Sequence, residues 1–161
     1  MSQLIDRQLF KQLLDEARNS PRKRAHRNLH QHYEEPVQRV CIGLVSGTYV
    51  PPHAHPQAHQ WELILSLQGR VGLVIFDASG CITRRHVLSE KGPASGIQLL
   101  PDTWHTLYPI DPESIILEIK QGPYDPAKAA RFAAWAPTEE APEASRFLEW
   151  VSRAETGSSY C

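Results

Sequence analysis

The stretch Pro51-Pro52-His53-Ala54-His55 governs the interpretation of this chain, because it sets two imidazoles close together beside a stiff Pro-Pro pair. In an extended segment alternate side chains share a face, so His53 and His55 point the same way. Glu62 follows at the head of an apolar run that ends at Gly69. Imidazole and carboxylate ligands suit transition metals better than Ca²⁺ or Mg²⁺, which prefer oxygen-only surroundings. The stretch therefore predicts part of a metal site.

A third imidazole, His105, lies downstream in the run Pro101-Asp102-Thr103-Trp104-His105. Six residues separate His55 from Glu62, and His59 lies between them, so the identity of the fourth ligand is open between Glu62 and His59. We favour Glu62, since residues 61–67 have the pattern of a strand and the turn at Gly69 fixes its register. His59 is then an alternative ligand or a neighbour of the ligands.

Tyr49 is the candidate catalytic group suggested by the same alternation. If the chain is extended from Tyr49 to His53, both side chains lie on one face, and a phenol stands near the metal. A buried tyrosine can equally form a purely structural hydrogen bond.

Gly47, His53, His55, Glu62 and Gly69 together resemble the first motif of the cupins, and Gly96, Pro101 and His105 resemble the second. From residue 24 to residue 137 the chain is similar to the WbuC-type cupin-fold metalloproteins, which are found among bacterial surface-polysaccharide genes. The similarity is carried by five segments: Arg24 with Asn28-Leu29-His30, Pro36-Val37-Gln38-Arg39, Tyr49-Val50-Pro51-Pro52-His53, Pro101 to Thr106, and Gln121-Gly122-Pro123-Tyr124-Asp125-Pro126.

This resemblance implies a mainly β cupin fold, a double-stranded β-helix or jelly-roll barrel with an N-terminal helix and C-terminal helices. It implies one divalent transition metal, Fe, Mn, Zn or Ni, held by His53, His55, Glu62 and His105. It also implies that Arg24, Asn28 and His30 bind the substrate, which would be a small anionic or sugar-like molecule. Many such barrels form homodimers, so we expect a homodimer here.

Composition narrows the class of protein. A chain of 161 residues is expected to form one domain, and 17 basic against 18 acidic residues give no net field for nucleic acid or an anionic membrane surface. No stretch approaches the ~18 apolar residues of a membrane span. Three separated cysteines suggest neither a disulfide framework nor a zinc ribbon. We therefore expect a cytoplasmic protein with no nucleic-acid or membrane partner.

Within this single domain the sequence predicts four parts: an N-terminal helix at 1–20, a basic connector at 21–36, the β-barrel at 37–121, and a helical extension with a tail at 122–161. Leu9, Leu13, Leu14 and Ala17 form one stripe of the first helix, which Asp6 can cap. Short β runs separated by turn residues predict strands at 37–45, 61–67, 71–76, 81–88, 96–100, 104–108 and 114–119. Helices are predicted at 127–135 and 142–151.

Three functions fit these features. The first is a metal-dependent enzyme, an isomerase or oxygenase, acting on a small polar molecule such as a sugar or sugar-nucleotide derivative in bacterial surface-polysaccharide metabolism. The second is an Fe-dependent dioxygenase using the same ligands. The third is a non-catalytic cupin module that binds or senses a small ligand. The sequence shows metal ligands more clearly than it shows an acid, a base or a substrate.

Overall fold

Two five-stranded antiparallel sheets form the body of the protein, with one helix before them and one after. The computed structural model describes residues 2–160. In chain order the elements are α1 (Arg7–Asn19), β1 (Arg24–Asn28), β2 (Val37–Val45), β3 (His53–Ala54), β4 (Glu62–Gln68), β5 (Arg70–Phe76), β6 (Ile82–Ser89), β7 (Gly96–Leu99), β8 (Trp104–Pro109), β9 (Glu113–Gln121), β10 (Arg131–Phe132) and α2 (Ala144–Arg153).

The strand order is β1-β2-β9-β4-β7 in the first sheet and β10-β3-β8-β5-β6 in the second. A central apolar cluster is built from residues of both sheets, including Ile42, Ile64 and Ile116 from the first sheet and Leu73 and Leu107 from the second. Side chains alternate along each strand, so one face of each sheet packs inward. The predicted mainly β barrel with flanking helical segments is confirmed.

Helix α1 covers the outside of the first sheet. Asp6 caps it, its carboxylate accepting a hydrogen bond from Leu9 N at 2.9 Å, and the predicted apolar stripe is buried. The helix packs closely on β2, because a Cβ placed on Gly43 would lie 2.9 Å from the carbonyl oxygen of Leu13. The predicted first helix is confirmed, and its docking depends on a glycine in the strand beneath it.

Gly69 makes the turn between β4 and β5. Its φ of +74° lies in the left-handed region, and a Cβ there would come 2.6 Å from Glu113 O. Both conditions favour glycine. The turn fixes where β4 ends and thereby which residues of that strand face inward.

The segment described from sequence as a basic connector contains strand β1, which pairs with β2 along its whole length. The strand was not predicted, because a run of basic residues is normally solvated. Arg24 is nevertheless buried: its guanidinium bonds both carboxylate oxygens of Glu139 and the carbonyl of Tyr49. Burial raises the pKa of Glu139, but hydrogen bonds from Arg22 and Arg24 outweigh burial and hold the pKa below its usual value.

The predicted helix at 127–135 is wrong. Arg131 and Phe132 instead form β10 against β3, and Ala133 N donates to Pro52 O at 2.9 Å. Alanines favour a helix locally, but the free edge of β3 offers backbone hydrogen bonds, and Trp135 packs on Phe76 with ring centroids 4.9 Å apart. Tertiary pairing therefore overrides local propensity.

The predicted helix at 142–151 is confirmed as α2. The end of the tail lies against the second sheet, since Ile82 N donates to Ser158 O and Gly157 N donates to Ile82 O. Cys161, the last residue of the predicted tail, lies outside the described residues. Among residues 2–160, no helix is long and apolar enough to cross a membrane.

Leu13→Ala should lower the free energy of unfolding by about 2–5 kcal/mol, because Leu13 is fully buried between α1 and the sheet. The measurement is urea denaturation followed by circular dichroism. Leu4→Ala is the control, since Leu4 is 74% exposed and should change stability by no more than about 0.5 kcal/mol. Equal effects of the two substitutions would mean that α1 is not docked on the sheet.

Candidate metal centre

Three imidazoles converge on the second sheet. His53 in β3 and His105 in β8 are a cross-strand pair, and their ring centroids lie 4.4 Å apart. His55 follows β3, and its ring centroid lies 5.2 Å from that of His53 and 5.8 Å from that of His105. The two sequence motifs are therefore brought together by the pairing of one short strand with β8.

Backbone carbonyls orient all three rings. The Nδ1 atoms of His53 and His105 lie 2.9 Å from the carbonyl oxygens of Pro51 and Thr103, and Nδ1 of His55 is bonded to Ala129 O. A carbonyl can only accept a hydrogen bond, so each Nδ1 carries the proton and each Nε2 presents a lone pair. This is the outer-shell arrangement typical of histidine ligands of metal ions.

One potential ligand atom from each of the three histidines lies within 4.8 Å of the other two. Metal–nitrogen bonds of ~2.0–2.1 Å would draw such atoms slightly closer together. Burial lowers the pKa of His53, and the neighbouring His105 lowers it further, so the ring is neutral at pH 7. Neutral imidazole is the form that binds metals.

Glu62 reaches the same point from the first sheet. Its Oε2 lies 3.1 Å from Nε2 of His105 and 3.4 Å from Nε2 of His55, and the side chain is almost fully buried. Within residues 2–160, neither carboxylate oxygen of Glu62 nor Nε2 of His55 has a directed hydrogen bond. Lone pairs of imidazole and carboxylate facing one another repel unless a cation lies between them. The donor set therefore fits a metal ion.

Two further charged side chains, Lys120 and Glu118, lie next to Glu62. Lys120 is the cross-strand partner of Glu62, and its Nζ lies 3.1 Å from Glu62 Oε1 and 2.7 Å from Glu118 Oε1. Burial raises the pKa of Glu62, but the positive charge of Lys120 acts against burial, and the pKa lies well below its usual value. Lys120 thus occupies one oxygen of the carboxylate and leaves the other facing the imidazoles.

The structure separates His59 from this cluster. His59 is exposed in the loop before β4, whereas Glu62 is buried beside His55 and His105. Of the two side chains considered for the fourth position, only Glu62 stands next to the imidazoles.

Tyr49 does not face the imidazoles, which contradicts its predicted position. Its hydroxyl donates to Pro137 O at 2.8 Å, and its ring packs 5.7 Å from Phe147 of α2. The alternation argument failed because β2 ends at Val45 and the chain is not a strand again until His53. Tyr49 is a structural residue of the apolar cluster beneath α2.

Two of the residues expected to bind substrate, Arg24 and Asn28, lie on β1, and the third, His30, lies just after it. The Arg24 guanidinium borders the cavity of the imidazoles, but Glu139 and the Tyr49 carbonyl already occupy it. Asn28 and His30 line a neighbouring groove. The structure thus brings none of the three beside the imidazole cluster as a free donor.

A cavity of about 190 Å³ opens in front of the imidazoles. Besides the histidines it is lined by side chains that the sequence did not single out, among them His26, Glu118, Lys120 and Phe132. Phe132 is largely exposed, with its ring centroid 6.0 Å from that of His53. Period-two alternation along β9 could have indicated that Glu118 and Lys120 face inward, but no motif marks them.

Comparison with solved structures gives weak sequence similarity over a shared fold. CapF, crystallised with the inhibitor 3-isopropenyl-tropolone, is 13% identical with a TM-score of 0.56, over 66% of this chain and 31% of that chain. The DMSP lyase DddQ from Ruegeria pomeroyi DSS-3 is 18% identical with a TM-score of 0.51, over 68% of this chain and 51% of that chain. This chain thus corresponds to less than two thirds of either protein.

A cupin superfamily protein from Desulfitobacterium hafniense DCB-2 is 17% identical with a TM-score of 0.48, over 61% of this chain and 76% of that chain. The mainly β fold of this chain is the one that it shares with CapF and DddQ. No curated protein matches the chain. A family model described as a domain of unknown function, DUF6016, matches residues 5–88, which is more than half of the sequence, and the chain therefore belongs to that family.

Proposed function

We propose that this protein is a metal-binding cupin that acts on a small polar molecule. His53, His55, His105 and Glu62 would hold one divalent transition ion: Fe, Mn, Zn or Ni. The observation that carries the proposal is the convergence of three imidazoles, each with Nδ1 bonded to a carbonyl, with a buried carboxylate oxygen beside two of them. Such mixed nitrogen and oxygen ligands suit these ions.

The bound ion would act as a Lewis acid with one or two open coordination positions for ligand oxygens. Side chains around the cavity would provide the other contacts with the ligand. Lys120 keeps a positive charge at the cavity wall, because its pKa is raised by Glu118 and Glu62 against the opposing effect of burial. Phe132 provides an apolar rim beside His53. These features favour a compact ligand with adjacent oxygen atoms and an apolar edge.

The nature of the substrate rests on the similarity to WbuC-type proteins. We propose a sugar or sugar-nucleotide derivative of bacterial surface-polysaccharide metabolism, which would supply adjacent hydroxyl, carbonyl or carboxylate oxygens to the ion. The lysine held at the wall of the cavity by Glu118 and Glu62 supports such a ligand. Assembly into a homodimer and a cytoplasmic location are further parts of the proposal.

Protein purified without a histidine tag and without chelators should contain close to one equivalent of a divalent transition metal, because four ligand groups already converge. Inductively coupled plasma mass spectrometry measures the content, and an anomalous diffraction signal locates the ion. A protein that contains no metal and takes none up on titration with Fe, Mn, Zn and Ni would refute the proposal.

Glu62→Gln should weaken metal affinity by about ten-fold or more, since it removes the charge of a ligand. His59→Ala is the matched control and should leave affinity unchanged, because His59 is exposed outside the cluster. Competition with a fluorescent chelator measures both variants. The opposite pattern, with His59→Ala weakening the site and Glu62→Gln leaving it intact, would show that the carboxylate is wrongly assigned.

The metal-loaded protein should convert a member of a nucleotide-sugar panel, seen as a new species by chromatography coupled to mass spectrometry. His105→Ala, which removes a proposed ligand, should abolish the conversion. Oxygen consumption by the Fe(II)-loaded protein would instead indicate the dioxygenase, and a compound that binds without changing would indicate the non-catalytic module.

A further inference from the structure

A second, larger groove of about 700 Å³ adjoins the metal cavity. The two spaces lie side by side, because His26, Glu118, Lys120 and Tyr124 line both of them. The groove is bordered by β1, the start of β2 and the segments that contain Tyr33 and Tyr124. A ligand at the imidazoles could therefore extend past Lys120 into this groove.

His30 presents a buried ring nitrogen at the groove, without a partner in the described chain. The residue is only 7% exposed, and its Nδ1 lies 3.0 Å from both the backbone N and the backbone O of Arg39. The Arg39 backbone therefore holds Nδ1, and Nε2 is the atom left to bond a ligand, as donor or acceptor according to the tautomer. Nε2 is buried and has no hydrogen-bond partner among residues 2–160.

Gln38 presents a buried acceptor in the same groove. Its amide nitrogen lies 2.8 Å from Glu35 O and 3.1 Å from Tyr33 O, which fixes the orientation of the amide. Its Oε1 is left without a hydrogen-bond partner within the described part of the chain, although Gln38 is only 4% exposed. A buried acceptor of this kind costs free energy unless a ligand or solvent satisfies it.

Two tyrosines line the groove beside these groups. The ring centroids of Tyr33 and Tyr124 are 5.1 Å apart, and Tyr124 N donates to Tyr33 O at 2.7 Å. Tyr33 is 49% exposed, so its ring is available for contact. Aromatic rings with a polar tip suit ligands that combine apolar C–H surfaces with polar groups.

The positive charges along the groove are already paired. Arg22 is bonded to Glu139, Arg27 to Glu16, and Lys120 to Glu118 and Glu62. The groove therefore offers two polar atoms without partners among the residues that the structure describes, His30 Nε2 and Gln38 Oε1, beside aromatic surface, and its Arg and Lys side chains are paired, which does not favour a phosphate group. A hydroxyl group can satisfy both a donor and an acceptor.

We propose that the groove is a second subsite, which binds a neutral hydroxylated ring, a sugar or cyclic polyol, joined to the part of the ligand that faces the imidazoles. His30 Nε2 and Gln38 Oε1 bond ring hydroxyls, which can donate or accept, and Tyr33 packs on the C–H face of the ring. The joining of the two ligand parts rests on the proposed function, whereas the ring subsite itself does not require the metal.

The test uses isothermal titration calorimetry of the full chain, metal-loaded and metal-stripped, with free hexoses, hexose disaccharides and UDP-hexoses as probes. At least one probe should bind, and Tyr33→Ala should weaken its binding roughly five- to ten-fold, by loss of the ring contact. Tyr33→Phe keeps the ring face and should retain the affinity. Val87→Ala, at an exposed position of β6 in the other sheet, is the neutral control.

Thermal melting of each variant checks that the fold is intact. We expect the Tyr33 variants to be folded, because Tyr33 is exposed. Binding that depends on Tyr33 in metal-free protein would support the subsite even if the metal proposal failed. If the protein holds metal but no probe binds, or if Tyr33→Ala and Val87→Ala bind the probe equally well, the subsite is refuted and the groove holds solvent only.

Discussion

The buried carboxylate of Glu62 is the constraint on which the centre of this protein depends. The residue is 1% exposed, and an isolated buried carboxylate is strongly disfavoured. The first sheet supplies one compensating charge, because the register of β4 and β9 sets Lys120 opposite Glu62. The second sheet brings His55 and His105 to the other side, with their Nε2 atoms facing the carboxylate. The two sheets therefore meet at a polar point that a cation between the carboxylate and the imidazoles would satisfy.

Lys120 pairs with both Glu118 and Glu62, and the two oxygens of the Glu62 carboxylate therefore have different roles. One oxygen is paired with the lysine, and the other faces the imidazoles. Glu118 balances the remaining charge of the lysine, and its own pKa is raised, mainly by burial. The arrangement holds the carboxylate in one orientation before any ligand arrives, which reduces the reorganisation that binding would require.

The parts of the centre that could be predicted from sequence are those set by local geometry. His53 and His55 were found from their spacing beside the Pro-Pro pair, and Glu62 from the strand that follows and the turn at Gly69. The strand pattern of the barrel was predictable for the same reason, since alternation and turn residues are local signals. His105 needed the family resemblance to be linked with the others, because only strand pairing brings it to His53.

What could not be predicted depends on contacts distant in the sequence. Tyr49 was misplaced because residues 46–52 do not form a strand, so side chains do not alternate regularly from Tyr49 to His53. The strand β1 was concealed because the partner of Arg24, Glu139, comes from the other end of the chain. The helix at 127–135 was wrongly predicted for the same reason, since that segment pairs with the edge of β3, which is distant in the sequence.

The hydrogen bond from His55 to the carbonyl of Ala129 has a consequence for how the protein is made. The two residues are 74 positions apart, so a ribosome completes the barrel strands before it delivers the group that orients this imidazole. The other two rings are oriented by carbonyls two residues away and are ready earlier. Tight capture of an ion would thus be postponed until the ribosome has added Ala129, long after both histidines of the first motif.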